Sequence, residues 1–462
     1  MMDMHHTGKV IMVSAVAAIG GFLFGFDTAV INGAVDAIHA HFALSSSATG
    51  IAVACALIGS AVGAWFAGGI ADRIGRVRVM VVASVLFTVS SLGAGCAFTV
   101  WDFIAWRVIG GMGVGVASVI APAYIAEVAP AHLRGRLGSL QQLAIVLGIF
   151  CALLIDAFCA QTAGSSSAPL WFGVAAWRWM FIAGVVPSIA YGVLALQIPE
   201  SPRFLVRRGK HELAAVVLRQ MLGDIDIDTK ISEIARSVNA EHVPSLRDLR
   251  GPRFGLLGIV WTGIILSMLQ QLVGINVIFY YSTTLWHSIG LSEADALTIS
   301  VVTSVTNILV TLVAIALVDR IGRRPLLLVG SAGMALCLGL MAWSFSHGAP
   351  GPEVRLLAPF GTIALVAANG YVVFFGVSWG PVVWVLLGEM FSNRIRASAL
   401  AVAAAAQWAA NFAVSVSFPG LASSFGLVGS YAIFAVFAAL SFGFVTRHIK
   451  ETRGRELEEI ID

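Results

Sequence analysis

An aspartate in the first apolar run is the residue of this chain best suited to chemistry. Asp27 lies within GGFLFGFDTAVING (20–33), a stretch with no other charged residue. An ionised carboxylate is costly in an apolar medium, so it needs a cationic partner or takes up a proton. A second apolar run, WRVIGGMGVGVAS (106–118), holds Arg107. The two residues predict a pair in which proton binding to Asp27 releases Arg107; a permanent structural ion pair is the alternative.

Amide side chains interrupt several other apolar runs. They are Gln142, Gln270, Gln271, Asn276, Asn307 and Gln407. Each amide offers both hydrogen-bond donors and an acceptor, which suits a polar, uncharged ligand. Any one of them taken alone can equally serve to hold two helices together. Gly274 and the pair Gly380-Pro381 also fall inside apolar runs, and they predict interrupted helices whose freed backbone groups line a cavity.

Composition defines the elements that must position these residues. Of the 462 residues, 58% are hydrophobic and only 11% are charged, a balance typical of membrane proteins. Helices of about 20 residues cross a hydrocarbon core of about 30 Å. The sequence predicts twelve such spans, at 10–37, 48–70, 77–98, 101–125, 137–160, 177–197, 254–282, 294–318, 325–346, 355–386, 397–418 and 427–447.

The positions of the basic residues predict the orientation of these spans. With the amino end placed in the cytoplasm, every Lys and Arg falls on the cytoplasmic side except Arg107, Arg178 and Arg355. Because cytoplasmic loops of membrane proteins carry the excess of Lys and Arg, both termini are predicted to be cytoplasmic. The first apolar run shows no cleavage pattern, so it is expected to be retained as a span.

Two motifs recur six spans apart. The string DRIGR occurs at 72–76 and again at 319–323, and EVAPAHLR (127–134) is echoed by EMFSNRIR (389–396). These repeats predict two parallel six-helix bundles. Four domains are predicted: an N-terminal six-helix bundle at 1–198, an intracellular helical linker at 199–253, a C-terminal six-helix bundle at 254–448, and a cytoplasmic tail at 449–462. A linker without regular structure is the alternative for 199–253.

These motifs occur with several others in one order along the chain. The others are PESPRFL (199–205), QQLVGINVIFYYS (270–282), SWGPVVW (378–384) and KETRGRELEEI (450–460). Together they resemble the sugar porter family of the major facilitator superfamily, and the wording around 279–290 is similar to actinobacterial proton-coupled glucose permeases. The resemblance implies an all-α membrane fold of twelve helices with short intracellular helices. It also implies import of a hexose, D-glucose, by proton symport through alternating access.

The resemblance assigns roles to particular residues. The proton-coupling residues would be Asp27 and Arg107, the positions at which the family's proton symporters have an acid and an arginine. The apolar Ile149 favours a hexose over a pentose. The implied sugar-binding residues are Phe24, Gln142, Gln270, Gln271, Asn276, Tyr280, Asn307, Trp384, Gln407 and Trp408.

Charged residues at the inner ends of the spans form the third implied set. By resemblance they make a salt-bridge network between the bundles that holds the outward-open state. Topological anchoring by positive charge applies to them as well. They are Asp72, Arg73, Arg76, Glu127, Arg134, Asp319, Arg320, Arg323, Glu389 and Arg396.

The sequence contains neither a metal-ligand cluster nor a nucleophile beside a base, so neither an enzyme nor a cofactor is predicted. The expected partners are a hexose, protons and the lipid bilayer of the plasma membrane, with no nucleic acid and a monomeric chain. A passive sugar facilitator is the main alternative. A transporter-like sugar sensor is less favoured, because such sensors add a long cytoplasmic tail.

Overall fold

The computed structural model describes residues 4–130, 134–223, 226–240, 246–252, 254–288, 290–348, 356, 359–391 and 395–452. This part of the chain is built from α-helices joined by short turns, with three short 3-10 helices and no strand. An all-helical chain is expected in lipid, because a helix satisfies its own backbone hydrogen bonds where no water is present.

The first half of the chain contains eight helices, with a 3-10 turn at Asn32–Ala34 between the first two. They are α1 (Met4–Ala29), α2 (Val35–His41), α3 (Ser46–Ile74), α4 (Arg76–Cys96), α5 (Val100–Val128), α6 (Arg134–Ala163), α7 (Ala176–Ala183) and α8 (Val185–Ala195). Thr99 begins α5 as its N-cap: the Thr99 hydroxyl accepts a hydrogen bond from the Asp102 amide at 3.1 Å.

The predicted intracellular linker contains short helices. They are α9 (Pro202–Arg207), α10 (His211–Leu222) and α11 (Ile227–Ala240). The chain then continues with α12 (Gly258–Leu272), α13 (Ile275–Tyr280), α14 (Ser282–Ser288), α15 (Glu293–Ile321), α16 (Arg323–Phe345), α17 (Phe360–Val377), α18 (Trp379–Met390) and α19 (Arg396–His448).

Within the described residues, 11 helical segments are long and apolar enough to cross a membrane. The difference from the twelve predicted spans arises in α19, which is continuous over 53 residues by its hydrogen bonds. Gly426 interrupts it with φ 65° and ψ −179°, a left-handed φ that a residue with a side chain rarely adopts. The two predicted spans 397–418 and 427–447 lie on either side of Gly426, so α19 contains two spans.

The predicted helix interruptions occur close to their expected positions. Gly274 has φ 85° and separates α12 from α13. The other break lies at Ser378, which has φ −129° and ψ −83°, between α17 and α18. It precedes Gly380-Pro381 because a proline ring clashes with the carbonyl four residues earlier, here that of Val377.

The helices form two compact units. Unit 1 comprises Met1–Asp27, Cys55–Ala152 and Phe181–Val243. Unit 2 comprises Thr28–Ala54, Leu153–Met180 and Pro244–Asp462. The division of the chain into the four predicted domains stays a prediction.

Glycines allow α3 and α5 to approach closely in unit 1. A Cβ on Gly59 would lie 2.0 Å from the Val108 carbonyl oxygen, and one on Gly111 would lie 2.0 Å from that of Ala56. Both glycines belong to small-residue pairs spaced four apart, a pattern that brings membrane helices into backbone contact. This contact fixes the position of α5 against α3, and therefore that of Arg107.

Candidate functional site

Asp27 and Arg107 form a buried ion pair in unit 1. Asp27 is 4% exposed near the carboxyl end of α1, and Arg107 is 2% exposed in α5. The Arg107 Nη1 donates to Asp27 Oδ1, and Nη2 donates to the Asp27 backbone oxygen at 3.2 Å. The structure thus brings together two residues that lie 80 positions apart in the sequence.

The surroundings of Arg107 leave part of its bonding capacity unused. Its guanidinium carbon lies 5.5 Å from the centroid of the Phe181 ring, a distance at which a cation is attracted to the aromatic face. Its Nε has no hydrogen-bond partner among the described residues. Arg107 is therefore anchored mainly by Asp27, and loss of the Asp27 charge would leave it uncompensated.

A glycine two residues before Asp27 sets the position of the carboxylate. A Cβ on Gly25 would lie 1.9 Å from the Ile145 carbonyl oxygen of α6. Any side chain at Gly25 would push α1 and α6 apart. The tight contact between the two backbones therefore holds Asp27 at its depth in unit 1.

Three of the predicted amides form a hydrogen-bonded cluster in unit 2, between α12 and α19. The Gln407 Nε2 donates to Gln270 Oε1 at 2.7 Å, and the Gln271 Nε2 approaches the same oxygen at 3.4 Å. Gln270 and Gln271 are 3% and 7% exposed. We name Gln270, Gln271, Gln407 and the adjoining Asn276 the amide cluster. Because all four side chains are neutral, the cluster presents hydrogen-bonding groups without charge.

The two helix interruptions join the amide cluster to backbone groups. Past the Gly274 break, the Asn276 Nδ2 donates to Gln271 Oε1 at 2.6 Å. At the start of α18, the Trp379 and Gly380 carbonyl oxygens accept from Gln270 Nε2 at 2.7 and 3.2 Å. The Oε1 of Gln407 is buried and has no hydrogen-bond partner among the described residues. The cluster therefore retains an acceptor that a hydroxyl group could satisfy.

The remaining predicted sugar-binding residues are divided between the two units. Unit 2 holds Tyr280 and Asn307, both buried, together with the half-buried Trp408 and the more exposed Trp384, at 43%. Unit 1 holds Phe24 and Gln142, both half-buried. A partly exposed indole such as Trp384 offers the flat apolar surface on which a sugar ring can stack.

The first charge cluster contains contacts that join four segments of unit 1. Arg76 pairs with Asp72 at 3.2 Å and with Glu127 at 3.0 Å. The carboxylate of Glu200 accepts from the Arg76 and Val77 amides at 2.9 and 3.3 Å. Glu200 thereby caps the amino end of α4, where free N–H groups and the helix dipole favour an anion.

The second charge cluster repeats this arrangement in unit 2. The Arg323 Nη2 and Nε donate to the two Glu389 oxygens at 2.7 and 3.1 Å, a bidentate pair. Glu451 accepts from the Arg323 and Arg324 amides, each at 3.0 Å, at the amino end of α16. The repeated motifs therefore form the same arrangement twice: an arginine paired with a glutamate, beside a second glutamate that caps a helix.

Two further residues of this set, Arg73 and Arg320, are exposed. The side chains of Arg134, Asp319 and Arg396 lie outside the part of the chain that the structure describes. The salt-bridge network between the bundles accordingly stays a prediction. The sequence did not predict that Glu200 and Glu451 are helix caps. Each follows the last predicted span of its half of the chain and is itself followed by arginine residues.

The sequence also did not predict a polar network in unit 2. Asn32, in the 3-10 turn, donates to Ser282 Oγ at 2.8 Å and accepts from the Thr283 amide at 3.0 Å. One turn along, Asp36 accepts from Thr284 Oγ1 at 2.9 Å. These contacts tie the segment after Asp27 to α14. The available signal was a run of hydrogen-bonding residues, Ser282 to Thr284, directly after the aromatic stretch of the seventh predicted span.

The comparison with protein families identifies one match over nearly the whole chain. Residues 13–461 match the model of the family described as sugar (and other) transporters. The match covers both units and both charge clusters.

Individual relatives cover the chain equally well. A glucose transport protein of Synechocystis sp. is 57% identical over 98% of this chain and 97% of its own length. A D-xylose-proton symporter of Escherichia coli is 37% identical over 99% of this chain and 96% of its own length. A solved structure of the Escherichia coli xylose transporter, in a partially occluded inward-open conformation, superposes with a TM-score of 0.84 and 35% identity, covering 97% of this chain and 100% of the solved chain.

Proposed function

This chain belongs to the family of sugar transporters, with the twelve-helix major facilitator fold, and we propose that it imports D-glucose together with a proton by alternating access. It is a multi-pass membrane transporter and not an enzyme. The observation that carries the proposal is the buried Asp27–Arg107 pair. A passive sugar pathway has no need for an ionisable pair at this depth, whereas a proton-driven one needs a group that can gain and lose charge.

The proton step uses Asp27 and Arg107. Asp27 accepts a proton from the outer solution and becomes a neutral carboxylic acid, so its attraction to the guanidinium falls. Arg107 is then free to change partners while the loaded transporter closes outside and opens inside. Release of the proton to the cytoplasm restores the ion pair, the arrangement present in this structure. Similarity to the 37% identical D-xylose-proton symporter of Escherichia coli supports this coupling.

The amide cluster supplies the sugar-binding groups. A hexose presents hydroxyls that both donate and accept, and the cluster matches them with amide N–H groups and the unpartnered oxygen of Gln407. We assign Trp384 as the surface under the sugar ring, and Phe24, Gln142, Tyr280, Asn307 and Trp408 as further lining. The buried, apolar Ile149 favours a hexose, in agreement with the 57% identical glucose transport protein.

Orientation and location complete the proposal. The distribution of Lys and Arg supports cytoplasmic termini and a cytoplasmic position for both charge clusters. We also propose that the protein lies in the plasma membrane. We propose that the clusters bias the equilibrium between outward-open and inward-open states. Arg76 and Arg323 are each only 9% exposed, so the cost of desolvation offsets much of the attraction within their ion pairs, and the clusters suit a reversible bias rather than a permanent lock. The transporter is expected to act as a monomer.

Labelled-glucose uptake into proteoliposomes tests the proposal. With an inward proton gradient, the wild type should accumulate glucose above the outside concentration, and Asp27→Asn should only equilibrate it. Glucose exchange at equal pH should survive in Asp27→Asn, because exchange needs sugar binding and conformational alternation but no net proton movement.

Asp102→Asn is the matched control, since Asp102 lies at the exposed start of α5 and outside the pair. It should accumulate glucose as the wild type does. Equal uptake by wild type with and without the gradient would favour a passive facilitator with a structural ion pair. Binding of glucose without any flux would favour a sensor.

A further inference from the structure

Asp156 is a second buried acid, and neither the ion pair nor the amide cluster uses it. It lies in α6, in the part that belongs to unit 2, and its side chain is 0% exposed. In the described part of the chain it takes part in no salt bridge. A carboxyl group placed this deep in a membrane span requires a reason beyond packing, because burial of an acid is costly.

The contacts of Asp156 satisfy only one of its oxygens. The Gly33 backbone amide donates to Oδ2 at 3.1 Å, while Oδ1 is buried without a partner among the described residues. The titratable group that lies beside it on its own helix is the Cys159 thiol, one turn along α6. The facing turn, Asn32–Ala34, contributes no charged side chain, and the next acid beyond it, Asp36, is hydrogen-bonded to Thr284.

The facing turn is shaped to receive this carboxyl group. A Cβ on Gly33 would lie 2.6 Å from the Asp156 Cβ and 2.8 Å from Oδ2, so only glycine permits the contact. Gly33 stands in the 3-10 turn between α1 and α2, where amides lack the partners that a continuous helix provides. The Asp156 carboxyl therefore caps a break in the first span.

The bonding pattern discriminates between the two protonation states. Among the described residues, an ionised carboxylate here would have one hydrogen bond, no cation, and one oxygen without a partner. A neutral carboxyl group would leave only a weakly polar group unsatisfied, which costs far less than an unpaired buried charge. The observed contacts therefore fit the neutral acid.

We propose that Asp156 is a second proton-binding site, which holds its proton while the Asn32–Ala34 turn is packed against α6 and loses it when that turn moves away and water enters. Asn32 ties the same turn to α14, and Asp36 just beyond the turn is also bonded to α14. Movement of this segment would therefore break the polar network and uncover Asp156 at the same time. By linkage, acidic solution in contact with this turn stabilises the arrangement in which the turn is packed against α6. This inference does not depend on proton coupling at Asp27.

Infrared difference spectroscopy of the purified transporter tests the proton directly. The C=O absorption of a protonated carboxylic acid should be present at neutral pH in the wild type, should persist in Asp27→Asn, and should be lost in Asp156→Asn. An unchanged absorption in Asp156→Asn, or its absence from the wild type between pH 5 and 8, would overturn the proposal. If Asp156→Asn fails to fold, absence of the absorption from the wild type still overturns the proposal, and its persistence in the double variant Asp27→Asn/Asp36→Asn supports it.

Hydrogen exchange of the segment 30–41, read by mass spectrometry, tests the link to movement. After correction for the intrinsic pH dependence of exchange, protection in the wild type should rise as pH falls, by up to about tenfold per pH unit for a single linked proton. Asp156→Asn should remove this slope. Asp36→Asn is the matched control, an acid in the same segment, and should keep it. Equal slopes in wild type and Asp156→Asn would show that Asp156 does not govern the turn.

Discussion

The ion pair of unit 1 and the amide cluster of unit 2 are both buried and polar, yet they are built on opposite principles. Asp27 and Arg107 depend on each other, because each is a charge that the other compensates. The amides of Gln270, Gln271 and Gln407 share neutral hydrogen bonds with one another and with backbone carbonyl oxygens. The difference agrees with the proposed roles, in which Asp27 changes charge and the amides bind a neutral sugar.

The largest expected effect comes from separating the two charges. Asp27→Leu leaves the Arg107 guanidinium buried without compensation, which should lower stability by about 3 to 5 kcal/mol. The double variant Asp27→Leu/Arg107→Leu should recover most of this loss, because both charges are then absent. Thermal unfolding of the purified protein in one detergent measures both. Additive losses in the double variant would contradict mutual dependence.

Removal of the central amide should have the next largest effect. Gln270→Leu abolishes its bonds to the Trp379 and Gly380 oxygens and to Gln407, and leaves buried groups unsatisfied. We expect sugar binding to weaken by about 2 kcal/mol, or about 30-fold. Calorimetric titration with glucose measures this. Asn411→Leu is the control, because Asn411 is a buried amide of α19 that bonds to Ser415 within its own helix.

Removal of a peripheral amide should produce a graded loss. Asn276 is half-buried, and among the described residues its side chain makes one hydrogen bond, to Gln271 Oε1 at 2.6 Å, which water can partly replace. Asn276→Ala should weaken glucose binding by about 1 kcal/mol, or about fivefold. The same titration decides the result. A loss as large as that of Gln270→Leu would mean that the cluster acts as a single unit, as the ion pair does.

The smallest effect is expected where the two units are alike. Glu200→Gln and Glu451→Gln each remove an anion from the amino end of a helix but keep an acceptor oxygen. Each substitution should lower the free energy of unfolding by about 0.3 to 1 kcal/mol, the usual contribution of an anion at the amino end of a helix. Equal, small shifts in thermal unfolding would confine the difference between the units to their membrane-spanning parts. A large shift in one variant alone would extend that difference to the charge clusters.

Much of this architecture is predictable from the residues. The apolar runs predicted the spans, with the single exception that α19 joins two of them across Gly426. Gly274 and Gly380-Pro381 marked the broken helices to within two residues, because glycine and proline alter the backbone locally whatever surrounds them. The caps by Glu200 and Glu451 were not predicted, since a carboxylate on a loop carries no mark of the helix end that it will reach.

The acid Asp156 illustrates the limit more sharply. It lies in plain view in the fifth predicted span, as visible as Asp27 in the first. The sequence predicted a guanidinium partner for Asp27, but it does not show that Asp156 faces a single glycine amide. The partners of both residues are more than 75 positions away, and they are selected by how the helices pack.

The order of residues was enough to show that this chain spans a membrane, that it contains a repeated unit, and that acids and amides lie within its apolar runs. These properties sum over neighbouring residues, because hydropathy and charge act along each helix independently. Helix packing was needed to show the geometry of the Asp27–Arg107 contact, the bonds that the amides share across a broken helix, and the contact of Asp156 with Gly33. Those outcomes depend on helix contacts with a tolerance of less than one methyl group, which no local pattern encodes.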